Sequence, residues 1–400
     1  MSRTRILTTC GIAILMIGLI LIGVHSAQAD PPQAPNTIRA GLVTDIGTLA
    51  DQSFNWFSYQ GLLRAESELG VTGAVYTSTS AADYLANLQQ CVNDGNDLCI
   101  SVGFPTMDAI STTAAANPGM RFACVDCSWE STPPNLRGMQ FDEQEAGYLA
   151  GTLAGLMTGS DVGGAVGGMQ IPPVARFVYG YRNGAQCANP AARVIISYTG
   201  SFDNPALGAV TAQAQMAEGA DVIFAAAGPT GNGAILTAAQ AGAWAIGVDT
   251  DQYLTVFDDG AVSGSDRLLS SAMKRFDNGV YDTIADVISG TFTSGAALYN
   301  LANDGVGLAP FHEADPSIPQ SVKDQLAAVE QGIINGTVDV NDHCTNTIII
   351  GAAADLSDGV SDLGRAQVNA VRLAVDQVNA TGGVDLGGTP HTLELVVADS

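Results

Sequence analysis

The chain has 400 residues, 46% of them hydrophobic and 14% charged, and it sets 40 Asp and Glu against 15 Lys and Arg for a formal net charge of −25. So acidic a protein lacks the basic footprint that nucleic acids and anionic lipid surfaces require, which excludes both as partners. Its length is enough for two domains.

At the N-terminus, Arg3 and Arg5 precede an apolar run from Ile12 to Val24, followed by Ala27-Gln28-Ala29 ahead of Asp30. This is the layout of a secretory signal with a small-residue cleavage site, so residues 1–29 are expected to be removed and the mature chain exported to a periplasmic or extracellular space. The uncharged stretch reaches back to Ile6, which leaves an uncleaved anchor as the other reading. Cys10 lies before the apolar core rather than after it, so a lipid anchor is not supported. No later run is long enough to span a bilayer.

From Arg39 onward, short apolar segments alternate with Ala-rich ones. Strands are expected at Arg39–Thr44, Ala74–Tyr76, Leu98–Val102 and Arg121–Val125, with helices at Phe57–Leu69, Ala81–Val92 and Met107–Ala116. After a helix from Glu145 to Met157 the alternation resumes with strands near Val162–Val166, Val194–Tyr198, Asp221–Ala226 and Trp244–Val248. Helices are expected between them at Val174–Ala188, Ala206–Glu218 and Ala234–Ala241. Such β-α alternation implies an α/β fold with parallel sheets covered on both faces, here two sheets and hence two lobes with a binding cleft between them. Residues 310–342 read as an acidic, partly helical tail. The pattern then restarts with a strand at Thr347–Ala353, a helix at Leu363–Val378 and a strand at Thr392–Ala398. One β-α-β unit cannot bury both faces of its own sheet, so residues 347–400 read as the opening of a second, truncated domain.

Six cysteines follow the signal, an even number that favours disulfides in an exported protein. Cys91 and Cys99 flank the turn 93–97, which could bring them together; the remaining connectivity is open. Cys124 and Cys127 have redox or zinc spacing, but no second such pair occurs, and neither a metal nor another cofactor is expected. The histidines, His25, His312, His343 and His391, form no catalytic set with a serine and an acid, and catalysis is not implied.

The most informative local order is Gly41-Leu-Val-Thr-Asp45, then Asp51-Gln-Ser-Phe-Asn55 in a loop, then a helix. It gathers a carboxylate, an aromatic and an amide at a strand's carboxyl end, where open α/β sheets bind ligands. An aromatic in such a loop suits a flat ligand that stacks on it. The loop Gly228–Gly233 opens a helix and offers backbone N–H groups to a hydroxyl or anion, without the Lys-Ser/Thr of a phosphate loop.

These segments, with Gly147-Tyr-Leu-Ala-Gly151, Val166-Gly-Gly-Met169, Tyr198-Thr-Gly-Ser-Phe202, Gly219-Ala-Asp-Val-Ile-Phe224, Ala227-Gly-Pro-Thr-Gly231, Ile246-Gly-Val-Asp-Thr-Asp-Gln252 and Ser271-Ala-Met-Lys274, resemble in order the basic membrane protein family of purine nucleoside receptors. The resemblance covers residues 37–342. Leu356-Ser-Asp-Gly, Ala374-Val-Asp-Gln-Val-Asn379 and Gly382-Gly-Val resemble the opening of a branched-chain amino-acid-type receptor. The resemblance implies a type I periplasmic-binding fold, two Rossmann-like lobes joined by a hinge, in a monomer that hands a purine nucleoside to an ABC permease in the membrane. It further implies that Phe54 and Phe202 sandwich the base, that Asp45 and Asn55 meet its edge with Asp126 as the secondary candidate, and that Asp249 or Asp251, with Asp249 favoured as closer to the strand, meets the ribose together with Lys274 and Gly228. Taken singly, each residue has a plainer reading: a Phe packs in a core, an Asp after a strand caps the next turn, a Lys is solvated. Against the last, this chain has only two lysines, Lys274 and Lys323. The other readings of such a pocket are a sensory ectodomain of the same fold and an exported nucleoside hydrolase or phosphorylase.

Overall fold

The structure, a computed structural model, describes residues 37–46, 49, 53–342, 344, 347–354, 361–386 and 389–399. The signal segment, Asp51, Gln52, His343 and the Leu356-Ser-Asp-Gly turn lie outside the described residues. The compact unit treated below begins at Ile38.

In chain order, the first lobe is built from β1 (Arg39–Val43), α1 (Phe54–Leu69), β2 (Thr72–Tyr76), α2 (Asp83–Asn93), β3 (Leu98–Val102), α3 (Met107–Ala116), β4 (Arg121–Val125) and β5 (Leu136–Phe141). The second lobe follows with α4 (Glu143–Met157), β6 (Val162–Gly167), α5 (Pro172–Ala188), β7 (Arg193–Tyr198), α6 (Pro205–Ala217), β8 (Val222–Ala226), α7 (Gly228–Gln240), β9 (Trp244–Asp249), α8 (Gln252–Thr255) and β10 (Leu268–Lys274). The chain then returns to the first lobe as α9 (Phe276–Ser289) and β11 (Gly295–Tyr299), and goes back to the second as β12 (Val306–Leu308), followed by α10 (Gln320–Ile334). Strand order is β11-β5-β4-β3-β1-β2 in one sheet and β12-β10-β9-β8-β6-β7 in the other. Every pairing is parallel except that of β12 with β10. A parallel sheet is covered by helices on both faces, and accordingly all five residues of β3 and all five of β8 are buried.

The polypeptide thus passes between the sheets three times, after β5, after β10 and after β11. These passages lie side by side: Asp142 N donates to Tyr299 O and Arg275 N to Gly305 O. They form the hinge, and Glu143 and Lys274 stand at two of them. Helices α4 and α5 approach closely because Gly147, Gly151 and Gly155 present bare backbone to the Phe177, Tyr181 and Ala185 carbonyls, where a Cβ would collide. That contact brings the N-terminal turns of both helices to the hinge and the cleft.

Expected and observed elements differ in ways with local causes. Helix α1 begins at Phe54, so Phe54 and Asn55 lie on its first turn rather than in a loop. Helix α7 begins at Gly228 instead of Ala234, since Pro229 sits in the first turn, where a missing N–H costs nothing. Strand β5 escaped notice because Arg137, Gly138 and Gln140 break its apolar run; Arg137 is nonetheless buried, donating to Asp286 Oδ2 (2.7 Å) and Thr293 O (3.0 Å). Within the tail, Val340 O accepts from Asn183 Nδ2, which straps residues 338–342 over α5.

Beyond it, β13 (Thr347–Ala354), α11 (Ser361–Ala380), β14 (Val384–Leu386) and β15 (Thr389–Asp399) form a separate sheet of order β13-β15-β14, in which β13 and β15 are parallel. The cysteines pair as Cys91–Cys99, Cys124–Cys127 and Cys187–Cys344. Among the described residues no helix is long and apolar enough to cross a membrane.

Candidate functional site

The carboxyl ends of the strands in both sheets face one cleft, at the edge where open α/β folds bind ligands. From the first lobe it receives Asp45 after β1, Phe54 and Asn55 at the start of α1, Gly103 after β3 and Asp126 after β4. From the second come Phe177 of α5, Phe202 after β7, Gly228 at the start of α7, Asp249 ending β9 and Lys274 ending β10. Eight of the nine residues singled out from sequence are therefore together: Asp45, Phe54, Asn55, Asp126, Phe202, Gly228, Asp249 and Lys274.

Asp251 is the exception, and its role is corrected here. Its carboxylate accepts from Tyr253 N, capping α8, and from His312 Nε2 at 2.7 Å, and it does not line the cleft. His312 in turn stacks on Tyr253 with ring centroids 4.1 Å apart. The backbone decides between the two acids: Asp249 turns the chain through a left-handed φ of 66°, after which Asp251 points into the second lobe.

The walls are aromatic. Phe54 packs edge-on against buried Phe276, centroids 4.7 Å apart, and its ring lies over Gly103. Gly103 has a φ of 101°, and a Cβ there would stand 3.0 Å from the ring and 3.1 Å from Asp45 Oδ2, so both wall and acid depend on glycine at that position. Phe202 stands on the other lobe and Gly228 approaches its carbonyl.

Polar groups in the cleft are held rather than loose. Asn55 Nδ2 donates to Asp45 Oδ1 at 2.6 Å while Asp45 N donates to Asn55 Oδ1 at 3.1 Å, a reciprocal pair that orients both side chains. Lys274 is 1% exposed. Its ammonium donates to Asp126 Oδ2 (2.6 Å) and Glu143 Oε1 (2.8 Å) and lies 5.0 Å from the centroid of the Phe276 ring. Burial disfavours that charge, but Asp126, Glu143 and Asp249 outweigh it and hold the Lys274 pKa above its usual value. An ammonium has three N–H donors, so one remains for a ligand. Glu143 is fully buried and takes a second cation, Arg176 Nε, on its other oxygen.

Asp126 and Asp249 end equivalent strands of the two lobes, and both adopt left-handed backbone with φ of 61° and 66°. Asp tolerates this better than most residues, at about 1–2 kcal/mol, and such strain is characteristic of sites where side-chain direction matters. Burial, with the negative charges of Glu143 and Asp249, pushes the Asp126 carboxyl up to about 7 despite its bond to Lys274. Asp126 Oδ1 is buried without a hydrogen-bond partner. A buried acceptor left unmet costs about 1–3 kcal/mol, so this oxygen is poised for a donor on a ligand.

Sequence reading missed Ser53, Glu143 and Arg176. Glu143 looked like an ordinary acidic residue in a helix's first turn, and Arg176 like a surface cation; only their convergence on Lys274 distinguishes them. Ser53 Oγ donates to Asp249 Oδ2 at 2.9 Å, lobe to lobe.

Comparison with known proteins agrees with this architecture. A family model described as "ABC transporter substrate-binding protein PnrA-like" matches residues 38–343. The chain is 31% identical over 354 residues to the ABC transporter nucleoside-binding protein BmpA of Lactococcus lactis subsp. cremoris, covering 84% of this chain and 99% of that one. It is 32% identical over 357 residues to the CD4+ T-cell-stimulating antigen of Listeria monocytogenes, covering 83% and 98%. Among solved structures, an ABC transporter system solute-binding protein from Aeropyrum pernix K1 superposes with a TM-score of 0.69 at 28% identity, covering 76% of this chain and 92% of that one. Two parallel-sheet lobes, a triple hinge and a cleft at the strand ends accompany a family match across residues 38–343: the chain belongs to the PnrA-like family of ABC-transporter substrate-binding proteins.

Proposed function

We propose that the protein, exported and monomeric, closes on a purine nucleoside and delivers it to an ABC permease in the membrane. The observation that carries this reading is one cleft with an aromatic ring on each lobe, Phe54 and Phe202, above a floor of buried acids and one ammonium. A base stacked between the rings gains on both π-faces, about 1–3 kcal/mol per stacking partner. The Asp45–Asn55 pair meets the base edge, while Asp249 and the remaining Lys274 proton meet the ribose hydroxyls, joined by Asp126 Oδ1, which we move from the base edge to the ribose because its carboxylate is bonded to the Lys274 ammonium. A relative named as nucleoside-binding supports the same ligand class. Because the groups come from both lobes, the ligand binds the closed form more tightly than the open one, and that difference drives closure.

Calorimetric titration of the mature protein with adenosine, guanosine and inosine is expected to give saturable binding for at least one of them. The matching 2′-deoxynucleoside is expected to bind about tenfold or more weakly, through loss of a hydroxyl hydrogen-bonded to a charged group. No binding by any nucleoside would overturn the proposal, and release of free base from the bound nucleoside would mark a hydrolase instead.

Affinity should also depend on pH. A hydroxyl donating to Asp126 Oδ1 favours the carboxylate, and in the empty cleft that group holds its proton up to about pH 7, above the ordinary 3.8. Ligand binding therefore expels a proton, and affinity rises as pH rises through 7, by up to about tenfold between pH 6 and 8. Titrations across that interval check it; an Asp126→Asn variant should flatten the profile, and a flat wild-type profile would rule the linkage out.

A further inference from the structure

Ser53 is the N-cap of α1, the position at which a serine side chain normally accepts from a backbone N–H of the helix's first turn. Its hydroxyl makes no such cap. It donates instead to Asp249 Oδ2, 196 residues away on the facing lobe, at 2.9 Å. The bond is sequestered, with Ser53 fully buried and Asp249 9% exposed. An O–H···O⁻ bond in such surroundings is of the stronger, charge-assisted kind. The acceptor is pre-aimed, since the left-handed backbone at Asp249 directs its carboxylate toward the cleft. Moreover, α1 is tied to the hinge through Phe54 on Phe276, the second residue after Lys274, so swinging the lobes apart moves Ser53 away from Asp249.

We propose that Ser53 is the latch of the closed receptor: a positioning residue whose hydroxyl crosses the cleft to Asp249, holding the lobes together and orienting the acid that meets the ligand. The bond exists only when the lobes are shut, so it adds to the closed state and to nothing else. Its sugar-facing consequence rests on the nucleoside reading; the closure itself does not.

The test separates the two. Spin labels at Leu85→Cys on the first lobe and Val210→Cys on the second, both exposed positions, report the interlobe distance by pulsed electron resonance without any ligand. Ser53→Ala is expected to shift the ligand-free distribution toward longer distances, and Asp249→Ala, which removes the acceptor, to do the same. The double variant should open no further than either alone. Unchanged distributions in both single variants would overturn the latch, whatever the ligand proves to be. If wild-type protein binds a nucleoside, Ser53→Ala should raise its dissociation rate about tenfold or more, with the association rate and melting temperature little changed. An equal dissociation rate would refute the latch. Wild-type protein that binds no nucleoside would refute the ligand assignment and leave the distance measurement to decide the latch. Should Ser53→Ala not fold, Asp249→Ala carries the same distance measurement.

Discussion

Replacing Lys274 with methionine is expected to destabilise the folded protein by about 3–5 kcal/mol, because it leaves Asp126 and Glu143 buried without the charge that pairs them. Lys274 is almost wholly enclosed, and its ammonium bonds both acids within 2.8 Å. Glu143 would retain Arg176, so the larger penalty falls on Asp126. It follows that the Lys274→Met, Asp126→Asn double variant recovers a substantial part of the loss, whereas a lysine that merely filled space would show simple additivity. Urea unfolding followed by circular dichroism measures both. A loss below about 1 kcal/mol for the single variant would place the pair in the class of solvated ion pairs and contradict its burial. The cluster sits where β10 and β5 leave their sheets, so it ties the hinge and the cleft floor into one electrostatic unit.

For the walls, Phe54→Ala is expected to weaken nucleoside binding about tenfold to a hundredfold, the range for losing one stacked ring. Phe54 also supports Phe276, so the alanine variant mixes stacking with packing. Phe54→Leu keeps apolar bulk without a π-face and should lose most of the affinity with little change in melting temperature, while Phe54→Trp should retain it. Titration calorimetry and thermal melting on all three distinguish the two contributions. If leucine binds as well as phenylalanine, the ring is a packing element, and the sandwich with Phe202 is wrong.

The site was legible where its residues follow strands. Asp45, Asp126 and Asp249 each come immediately after or at the end of an apolar run, and Phe54-Asn55 opens the next helix. Local order carries that information, since a parallel sheet sends all its strand ends to one edge. Between Asp249 and Asp251, proximity to the strand end already favours Asp249, which lines the cleft, and the left-handed backbone at Asp249 accompanies the turn that leaves Asp251 outside it. Strands β5, β10, β11 and β12 were not anticipated, because a buried arginine and short hinge segments dilute the period-two and apolar signals that mark strands.

Alternating apolar strands and Ala-rich helices and the acidic composition are properties of consecutive residues, and the chain alone determined the fold class, the two lobes and most of the cleft's occupants. Tertiary structure decided how those occupants are wired. Lys274, Asp126, Glu143 and Arg176, like Ser53 and Asp249, meet across lobes from positions as far as 196 residues apart. Hydrogen bonds and the contacts of a buried ion pair form at about 3 Å in space and are indifferent to separation along the chain. Their pattern therefore emerges only when the hinge brings the two sheets face to face.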